Sequence, residues 1–159
     1  MKNDEACQFI TGRAGTGKST LLRYFRATTS QHVVVLAPTG IAAINVGGQT
    51  IHSFFQLPPR FIQASEVRPL PKAKRSVVRK IDTLVIDEAS MVRADVMDGI
   101  DWSLRINRSN NQPFGGVKLI LIGDLFQLPP VVGQDMNEFF EKQYQSPFFF
   151  SARVFQKIN

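Results

Sequence analysis

The sequence contains a single cysteine, Cys7, so no disulfide bond can form within the chain. So little cysteine fits a reducing compartment. The sequence also lacks an apolar run long enough to span a membrane, and its first five residues are polar rather than signal-like. These absences predict an intracellular protein without a membrane partner. The compartment would be the cytoplasm or nucleoid in a bacterium, and the nucleus or mitochondrion in a eukaryote.

Acidic residues are scarcer than basic ones, 13 against 19, which gives a formal net charge of +6. A positive charge fits an anionic partner, although charge alone does not distinguish nucleic acid, a membrane surface and a nucleotide. With 159 residues, 43% of them hydrophobic, the chain can form one globular domain with its own core. Because the first apolar run begins within a few residues of Met1, we expect the chain to be a domain excised from a longer protein.

The stretch from Gly12 to Ser19 fits the phosphate-binding pattern G-x-x-x-x-G-K-[ST]. An apolar run at 7–11 before it predicts a buried strand, and apolar residues at helical spacing over 21–25 predict a helix after it. Glycines let successive N–H groups turn toward phosphate oxygens, and the helix N-terminus adds partial positive charge. We therefore expect Lys18 to reach the β- and γ-phosphates and Ser19 to hold Mg²⁺. The alternative is a chance glycine turn before a helix.

Strands and helices alternate along the chain, which is typical of an α/β fold with a mostly parallel sheet and helices on both faces. Strands are predicted at 7–11, 33–37, 84–86 and 117–122, and helices at about 18–27, 39–45, 93–106, 136–143 and 152–157. Residues 50–55 are predicted to form a turn or one helical turn. Four prolines make 56–71 an irregular loop, with a short helix after Pro71.

Two acids, Asp87 and Glu88, follow directly after an apolar strand. This places them at the carboxyl edge of the sheet, where open α/β sheets bind ligands. A P-loop enzyme needs one carboxylate to help hold Mg²⁺ and a second group to activate water. Asp87 fits the metal and Glu88 the base. A solvated strand end would look the same, but the P-loop in the same chain favours the catalytic interpretation.

Two other segments also follow strands. After the strand at 117–122, Gln127 could sense the γ-phosphate or orient water; alternatively, Asp124 caps a turn and Gln127 is an ordinary surface residue. After the strand at 33–37, the Thr39 hydroxyl and free N–H groups at a helix start could take another phosphate. The residues alone do not settle the first choice, and they favour a plain helix cap for the second.

The chain resembles the first RecA-like domain of Pif-family DNA helicases, in the RecD-like branch of superfamily 1B. The resemblance spans nearly the whole chain, and its segments keep the family's order: TGRAGTGKST, LAPTGIAAINVGGQTIHSFFQLP, LVIDEASMVRADVMDGID, PFGGVKLILIGDLFQLPPVV and PFFFSARVF. The GQTIHSFF and GDLFQLPPV stretches are more specific than the P-loop. The resemblance implies a RecA-like P-loop NTPase domain over residues 1–159. It also implies that the fourth strand lies between those of the P-loop and Asp87, which brings Gln127 near the γ-phosphate.

The resemblance further implies individual roles, with ATP and Mg²⁺ as cofactors. Lys18, Glu88 and Gln127 would act in hydrolysis, and Ser19 and Asp87 would hold the metal. The nucleotide would be bound by Gly12, Ala14, Gly15, Thr16, Gly17, Lys18, Ser19 and Thr20. Single-stranded DNA would be contacted by Pro38, Thr39, Gly40, Thr50, His52, Ser53 and Phe54.

The implied activity is that of an ATP-dependent 5′-to-3′ DNA helicase whose ATP site lies between two RecA-like domains. The second domain would supply the arginines that stabilise charge on the transferring phosphoryl group, and their motifs do not occur in this sequence. We therefore expect the chain by itself to be a monomer that binds nucleotide weakly and hydrolyses it very slowly. The alternatives are a P-loop ATPase in DNA replication or repair that does not unwind, of the clamp-loader or initiator type, and a kinase-like enzyme acting on a small molecule. The two family-specific stretches argue against both.

Some residues keep two interpretations. His52 is either a partly buried histidine or a DNA contact. Of Phe54 and Phe55, we expect one to pack in the core and one to stack on bases. Trp102, Arg105 and Arg108 could line DNA, but we expect them to serve packing and the surface. A basic cluster is either a solvated face or a mobile DNA-facing surface; its members are Arg68, Lys72, Lys74, Arg75, Arg79 and Lys80.

Overall fold

The computed structural model describes residues 6–13 and 15–158, which contain one sheet of five parallel strands. The strands are β1 (Cys7–Thr11), β2 (Val33–Ala37), β3 (Gln49–Thr50), β4 (Thr83–Ile86) and β5 (Lys118–Gly123). Their order across the sheet is β1-β5-β4-β2-β3, so β5 lies between the P-loop strand and the strand before Asp87, as expected. The α/β parallel fold is confirmed.

Six α-helices connect and flank the strands in the described part of the chain. They are α1 (Lys18–Thr28), α2 (Gly40–Asn45), α3 (Ile51–Phe55), α4 (Lys72–Lys80), α5 (Ala94–Arg108) and α6 (Gln134–Gln143). Short 3₁₀ turns lie at Ala64–Glu66, Ala89–Met91, Pro113–Gly116, Phe149–Ser151 and Arg153–Lys157. None of the helices in the described residues is both long and apolar enough to cross a bilayer.

The short strand β3 was not predicted from the sequence. Gly48, directly before it, lies so close to β2 that a Cβ atom would sit 2.3 Å from the carbonyl oxygen of Val35. A glycine is therefore required for β3 to pair with β2. Two paired residues carry too little pattern to be recognised as a strand.

The alternating side chains of the central strands build a core on each face of the sheet. On one face, Leu84 and Ile86 of β4 pack into a large core that includes Ile100 and Leu104 of α5. On the other face, Val85 packs with Leu22 of α1 in a smaller core. Because both faces are covered, the central strands are continuous apolar runs.

Helix α5 is buried on its polar side as well as its apolar side. Asp98 accepts hydrogen bonds from the Tyr144 hydroxyl (2.8 Å) and from the backbone N–H groups of Arg153 (3.2 Å) and Val154 (3.0 Å). Similar bonds tie the side chains of Asp95, Asp101 and Asn107 to the N–H groups of Ile62, Phe114 and Leu70. The helix therefore holds four loop segments in place through hydrogen bonds to their backbone.

The arginines of α5 are part of this scaffold. Arg105 pairs with Asp101 at 2.8 Å. Arg108 donates to the carbonyl oxygens of Val78, Ile81 and Gly115, at 2.8, 3.0 and 2.9 Å. Arg108 thus satisfies carbonyls at the end of α4, where a helix has no further N–H groups to offer.

Candidate functional site

The P-loop connects β1 to α1. Gly15 and Gly17 have φ angles of +78° and +86°, in the left-handed region that glycine adopts readily. A Cβ atom at either position would meet nothing within 4 Å, so backbone conformation rather than space requires glycine there. Gly12, Thr16, Ser19 and Thr20 lie in the same turn or at the start of α1, whereas Ala14 lies outside the described residues.

The Lys18 ammonium lies over its own loop. It donates to the carbonyl oxygen of Arg13 at 2.9 Å and also to that of Gly12. The Thr16 hydroxyl donates to the same Arg13 oxygen at 2.8 Å. The loop is thus held closed on itself, with the charge of Lys18 at its mouth.

Asp87 and Glu88 follow β4 at the carboxyl edge of the sheet. The N–H of Asp87 donates to the carbonyl oxygen of Leu36 at 2.9 Å, which fixes the acid at the end of the strand. Glu88 has a φ of +52° and a ψ of +41°, a left-handed conformation that costs a non-glycine residue about 1 kcal/mol or more. Strain of this kind often marks a functional position.

Burial raises the pKa of both carboxyl groups. For Glu88, the charge of Asp87 adds to this rise, the positive charge of Lys18 opposes it, and Asp124 makes a smaller addition. Lys18 likewise lowers the pKa of Asp87 against the larger effect of burial. Four charged residues from the ends of β1, β4 and β5 therefore share one electrostatic environment. A Glu with a raised pKa is a better proton acceptor than an ordinary one.

Gln127 lies in the loop after β5. Asp124 caps the start of this loop, because its carboxylate accepts from the N–H of Phe126 at 3.0 Å and its carbonyl oxygen from the N–H of Gln127 at 3.1 Å. The side chain of Gln127 is exposed and has no hydrogen-bond partner among the described residues. The turn-capping interpretation of Asp124 is correct. It leaves the Gln127 amide free for a ligand at the edge that carries Glu88.

A second candidate region begins at the end of β2. Pro38, Thr39 and His52 line a cleft of about 180 Å³ together with Arg93 and Val131. Thr39 caps α2 and Thr50 caps α3, each accepting a backbone N–H at 3.3 Å. The cap interpretation of Thr39 is thus correct, and the cap at Thr50 was not predicted; Gly40 and Ser53 beside them are exposed. Burial, and then the charge of Arg93, lower the pKa of His52, so this imidazole is neutral at neutral pH.

The expectation that one of the two phenylalanines stacks on bases was wrong. Phe54 is 7% and Phe55 2% exposed, and the two rings pack edge to face with their centroids 4.9 Å apart. Both lie at the end of α3, where this short helix packs into the core beside α5. Phe54 is therefore a core residue.

The basic cluster divides into two groups. Lys74 donates to the carbonyl oxygens of Ser53 (2.7 Å) and Phe54 (3.3 Å), and Arg79 donates to that of Asn107 at 3.1 Å. These two side chains join α4 to α3 and α5. Side-chain hydrogen bonds to described residues are absent for the others, which are Arg68, Lys72, Arg75 and Lys80.

Sequence reasoning missed Arg93, which lies in the cleft directly before α5. A lone arginine before a helix carries no signal of its own. The fold, and no local pattern, brings it beside Thr39 and His52.

Comparison with known proteins places these features in a family. The family model "PIF1-like helicase" matches residues 1–149. The ATP-dependent DNA helicase PIF1 of Saccharomyces cerevisiae is 44% identical over 131 residues, which are 77% of this chain and 15% of that protein. The human enzyme of the same name is 44% identical over 128 residues, 77% of this chain and 20% of that protein.

A solved structure is similar over nearly the whole chain. It is that of a Pif1 helicase from Bacteroides in complex with ADP-AlF3 and single-stranded DNA, with a TM-score of 0.91 and 44% identity, covering 97% of this chain and 36% of that one. The RecA-like helicase fold is therefore confirmed. The chain spans only 15–20% of the length of the two curated relatives.

Proposed function

Since the chain belongs to the PIF1-like helicase family, we propose that it is the first RecA-like domain of an ATP-dependent DNA helicase and supplies half of the ATP site. One observation carries the proposal. The strand order β1-β5-β4 brings the P-loop, Gln127 and the acids Asp87 and Glu88 to one edge of the sheet. Nucleoside triphosphate hydrolysis needs this combination of phosphate cradle, carboxylates and water-positioning amide.

The nucleotide phosphates would lie on the N–H groups of the P-loop, from Gly12 to Thr20. Lys18 would exchange the carbonyl oxygens of Gly12 and Arg13 for phosphate oxygens, which are stronger acceptors for an ammonium. The Bacteroides relative was solved with ADP-AlF3, a nucleotide complex, which supports a nucleotide at this loop.

The residues present also fit Mg²⁺. Among the described residues, no three His, Cys, Asp or Glu side chains converge on a metal site. A nucleotide-bound Mg²⁺ does not require such a cluster, because it keeps several waters and takes phosphate oxygens with one or two protein groups. Ser19 and Asp87 would be those groups. The ion would neutralise charge on the phosphates.

Glu88 would act as the general base. Its carboxylate has no hydrogen-bond partner among the described residues and would accept a proton from the attacking water. Gln127 would orient that water or contact the γ-phosphate. Arginines from a second RecA-like domain would stabilise charge on the transferring phosphoryl group.

Single-stranded DNA would lie along the second region, contacted by Pro38, Thr39 and Gly40 and by Thr50, His52 and Ser53. Three observations support this: the exposed ends of α2 and α3, the cleft between them, and the single strand present in the Bacteroides relative. Travel from 5′ to 3′ rests on family resemblance. We expect the protein to act where DNA is found, in the bacterial nucleoid or the eukaryotic nucleus or mitochondrion.

The test is ATP turnover by the full-length protein, with single-stranded DNA, with blunt duplex and without DNA. We expect single strand to stimulate turnover most strongly and Lys18→Ala to abolish it, with Arg23→Ala on the exposed face of α1 as the control. Preferential stimulation by duplex would favour a clamp-loader or initiator-type ATPase. ATP turnover that DNA does not change would favour an enzyme acting on a small molecule. Stimulation mainly by duplex, or no effect of DNA, would each contradict the proposal.

A further inference from the structure

Among the described residues that line the candidate DNA cleft, Arg93 is the one arginine or lysine. It directly precedes α5, and its backbone is fixed because its carbonyl oxygen accepts from the N–H of Met97 at 3.0 Å. The next residue, Ala94, donates to the carbonyl oxygen of Pro147 at 2.9 Å. The side chain is only 12% exposed. The guanidinium therefore has little freedom.

Two of its three nitrogens are occupied by the protein. Nε donates to Oδ1 of Asp95 at 2.9 Å, and Nη2 donates to Oδ2 of Asp95 at 2.8 Å and to the carbonyl oxygen of Arg60 at 3.0 Å. Asp95 is fully buried and also accepts the N–H of Ile62 at 2.9 Å. The carboxylate thus works as a clamp that sets the orientation of the guanidinium plane.

The third nitrogen, Nη1, has no partner among the described residues. It is also absent from the buried polar atoms without a partner, which are Ser90 Oγ and Arg105 Nη2. Nη1 therefore reaches solvent, and its two N–H groups are available to a ligand. The residue lines the same cleft as Thr39 and His52.

We propose that Nη1 of Arg93 donates to a backbone phosphate of single-stranded DNA, and so is a third contact beside the segments at 38–40 and 50–53. This inference rests on the proposed function. Because His52 is neutral at neutral pH, Arg93 is the permanent cation among the residues that line the cleft. A planar guanidinium suits phosphate, and the Asp95 clamp means that little side-chain freedom is lost on binding.

The test is equilibrium binding of a fluorescent oligo(dT) strand to the purified protein over a range of salt concentrations. Arg93→Gln alone would leave Asp95 buried without its cation, which destabilises a fold. The deciding variant is therefore the double substitution Arg93→Gln with Asp95→Asn, which removes the ion pair as a unit. Arg23→Gln on α1, an exposed arginine outside the cleft, is the control for the loss of one positive charge, since the double variant leaves the net charge unchanged.

We expect the double variant to bind oligo(dT) about tenfold or more weakly, the loss typical of one charge-assisted hydrogen bond. Its salt slope should be shallower by about 0.7, the value for one phosphate contact on a single strand. Arg93→Lys keeps the charge but cannot hold Asp95 and a phosphate at once, so it should bind with intermediate affinity.

If the double variant binds and responds to salt as Arg23→Gln does, Arg93 is not a phosphate contact, although the proposed function stands. If the unsubstituted protein binds no single strand with or without nucleotide, both proposals fail.

Discussion

The polar side chains of α5 and those at the carboxyl edge of the sheet, beside the P-loop, differ in their hydrogen-bond partners. Asp98 accepts three hydrogen bonds from its own chain. By contrast, Ser19, the Glu88 carboxylate and the Gln127 amide have no hydrogen-bond partner among the described residues. Buried polar groups usually have hydrogen-bond partners within the protein, whereas exposed groups at a sheet edge are hydrated and accessible to a ligand. The α5 groups are thus paired within the chain, apart from Nη2 of Arg105, whereas the groups at the sheet edge are open to a ligand.

The largest expected effect is on the rate of ATP hydrolysis by a chain that contains half of the ATP site. The 159-residue chain by itself should hydrolyse ATP about 10³–10⁵-fold more slowly than the protein with both RecA-like domains, because a missing arginine finger costs that much. Its near-ultraviolet circular dichroism should nevertheless show ordered aromatic packing, since the α5 region needs no outside group. Steady-state turnover with excess single strand measures the first point. Turnover near that of the full-length protein would show that the site is complete within this chain.

The second prediction concerns the hydrogen bonds that Asp98 of α5 accepts. Asp98→Ala removes the acceptor for Tyr144, Arg153 and Val154, and should lower the free energy of unfolding by about 3 kcal/mol, since each orphaned buried donor costs about 1–3 kcal/mol. Denaturant unfolding measures the loss. Asp82→Ala, which removes a surface pair with His32, is the matched control and should cost about 1 kcal/mol or less. Equal losses in the two variants would show that the buried hydrogen bonds of Asp98 stabilise the fold no more than the surface pair does.

The third prediction separates two neighbours on α4. Arg75→Gln should flatten the salt dependence of single-strand binding by about 0.7 with little change in stability, as expected for a phosphate contact. Arg79→Gln should instead lower the free energy of unfolding by about 1 kcal/mol, because it loses its bond to the carbonyl oxygen of Asn107. Salt titrations and denaturant melts of both variants provide the comparison. An unchanged slope for Arg75→Gln would assign its charge to a solvated face.

Much of the fold could be predicted from the sequence because its elements have strong local signals. Apolar runs such as the one ending at Ile86 are bounded by polar or turn residues, and every helix or strand predicted with bounds begins and ends within two residues of them. The exceptions are β3, which was not predicted, α4, whose end was not predicted, and the helix predicted at 152–157, which is a 3₁₀ turn at Arg153–Lys157. The P-loop and the acids after β4 could be placed at one edge for the same reason. Their roles in catalysis remain predictions.

The rest depends on tertiary contacts that no local pattern encodes. The stripe of apolar residues in α5 predicts a solvated opposite face, yet Asp95 and Asp98 are buried there because distant loops supply their donors. One of Phe54 and Phe55 was expected to stack on bases, but both are buried in the core beside α5. Arg93 acquires its place in the cleft only when α5 is set beside α2 and α3.

At Glu88, the stability of the fold and the proposed role in hydrolysis can be tested with the same substitution. Burial and the charge of Asp87 raise its pKa in the folded protein above the unfolded value, so the folded state holds the proton more tightly. Its ionised form therefore costs stability at neutral pH, and this cost fades as the pH falls through the raised pKa. The left-handed backbone adds a cost that asparagine would bear more easily than glutamine.

The most direct test of this account is the denaturant midpoint of Glu88→Gln at pH 7, measured on full-length protein that still binds ATP but no longer hydrolyses it. We predict a midpoint equal to or above that of the unsubstituted protein, with a further rise for Glu88→Asn, because the chain keeps this carboxylate for a ligand at the expense of its own stability. A clearly lower midpoint would show that Glu88 serves the fold. Turnover that survives the substitution would show that the catalytic base lies elsewhere.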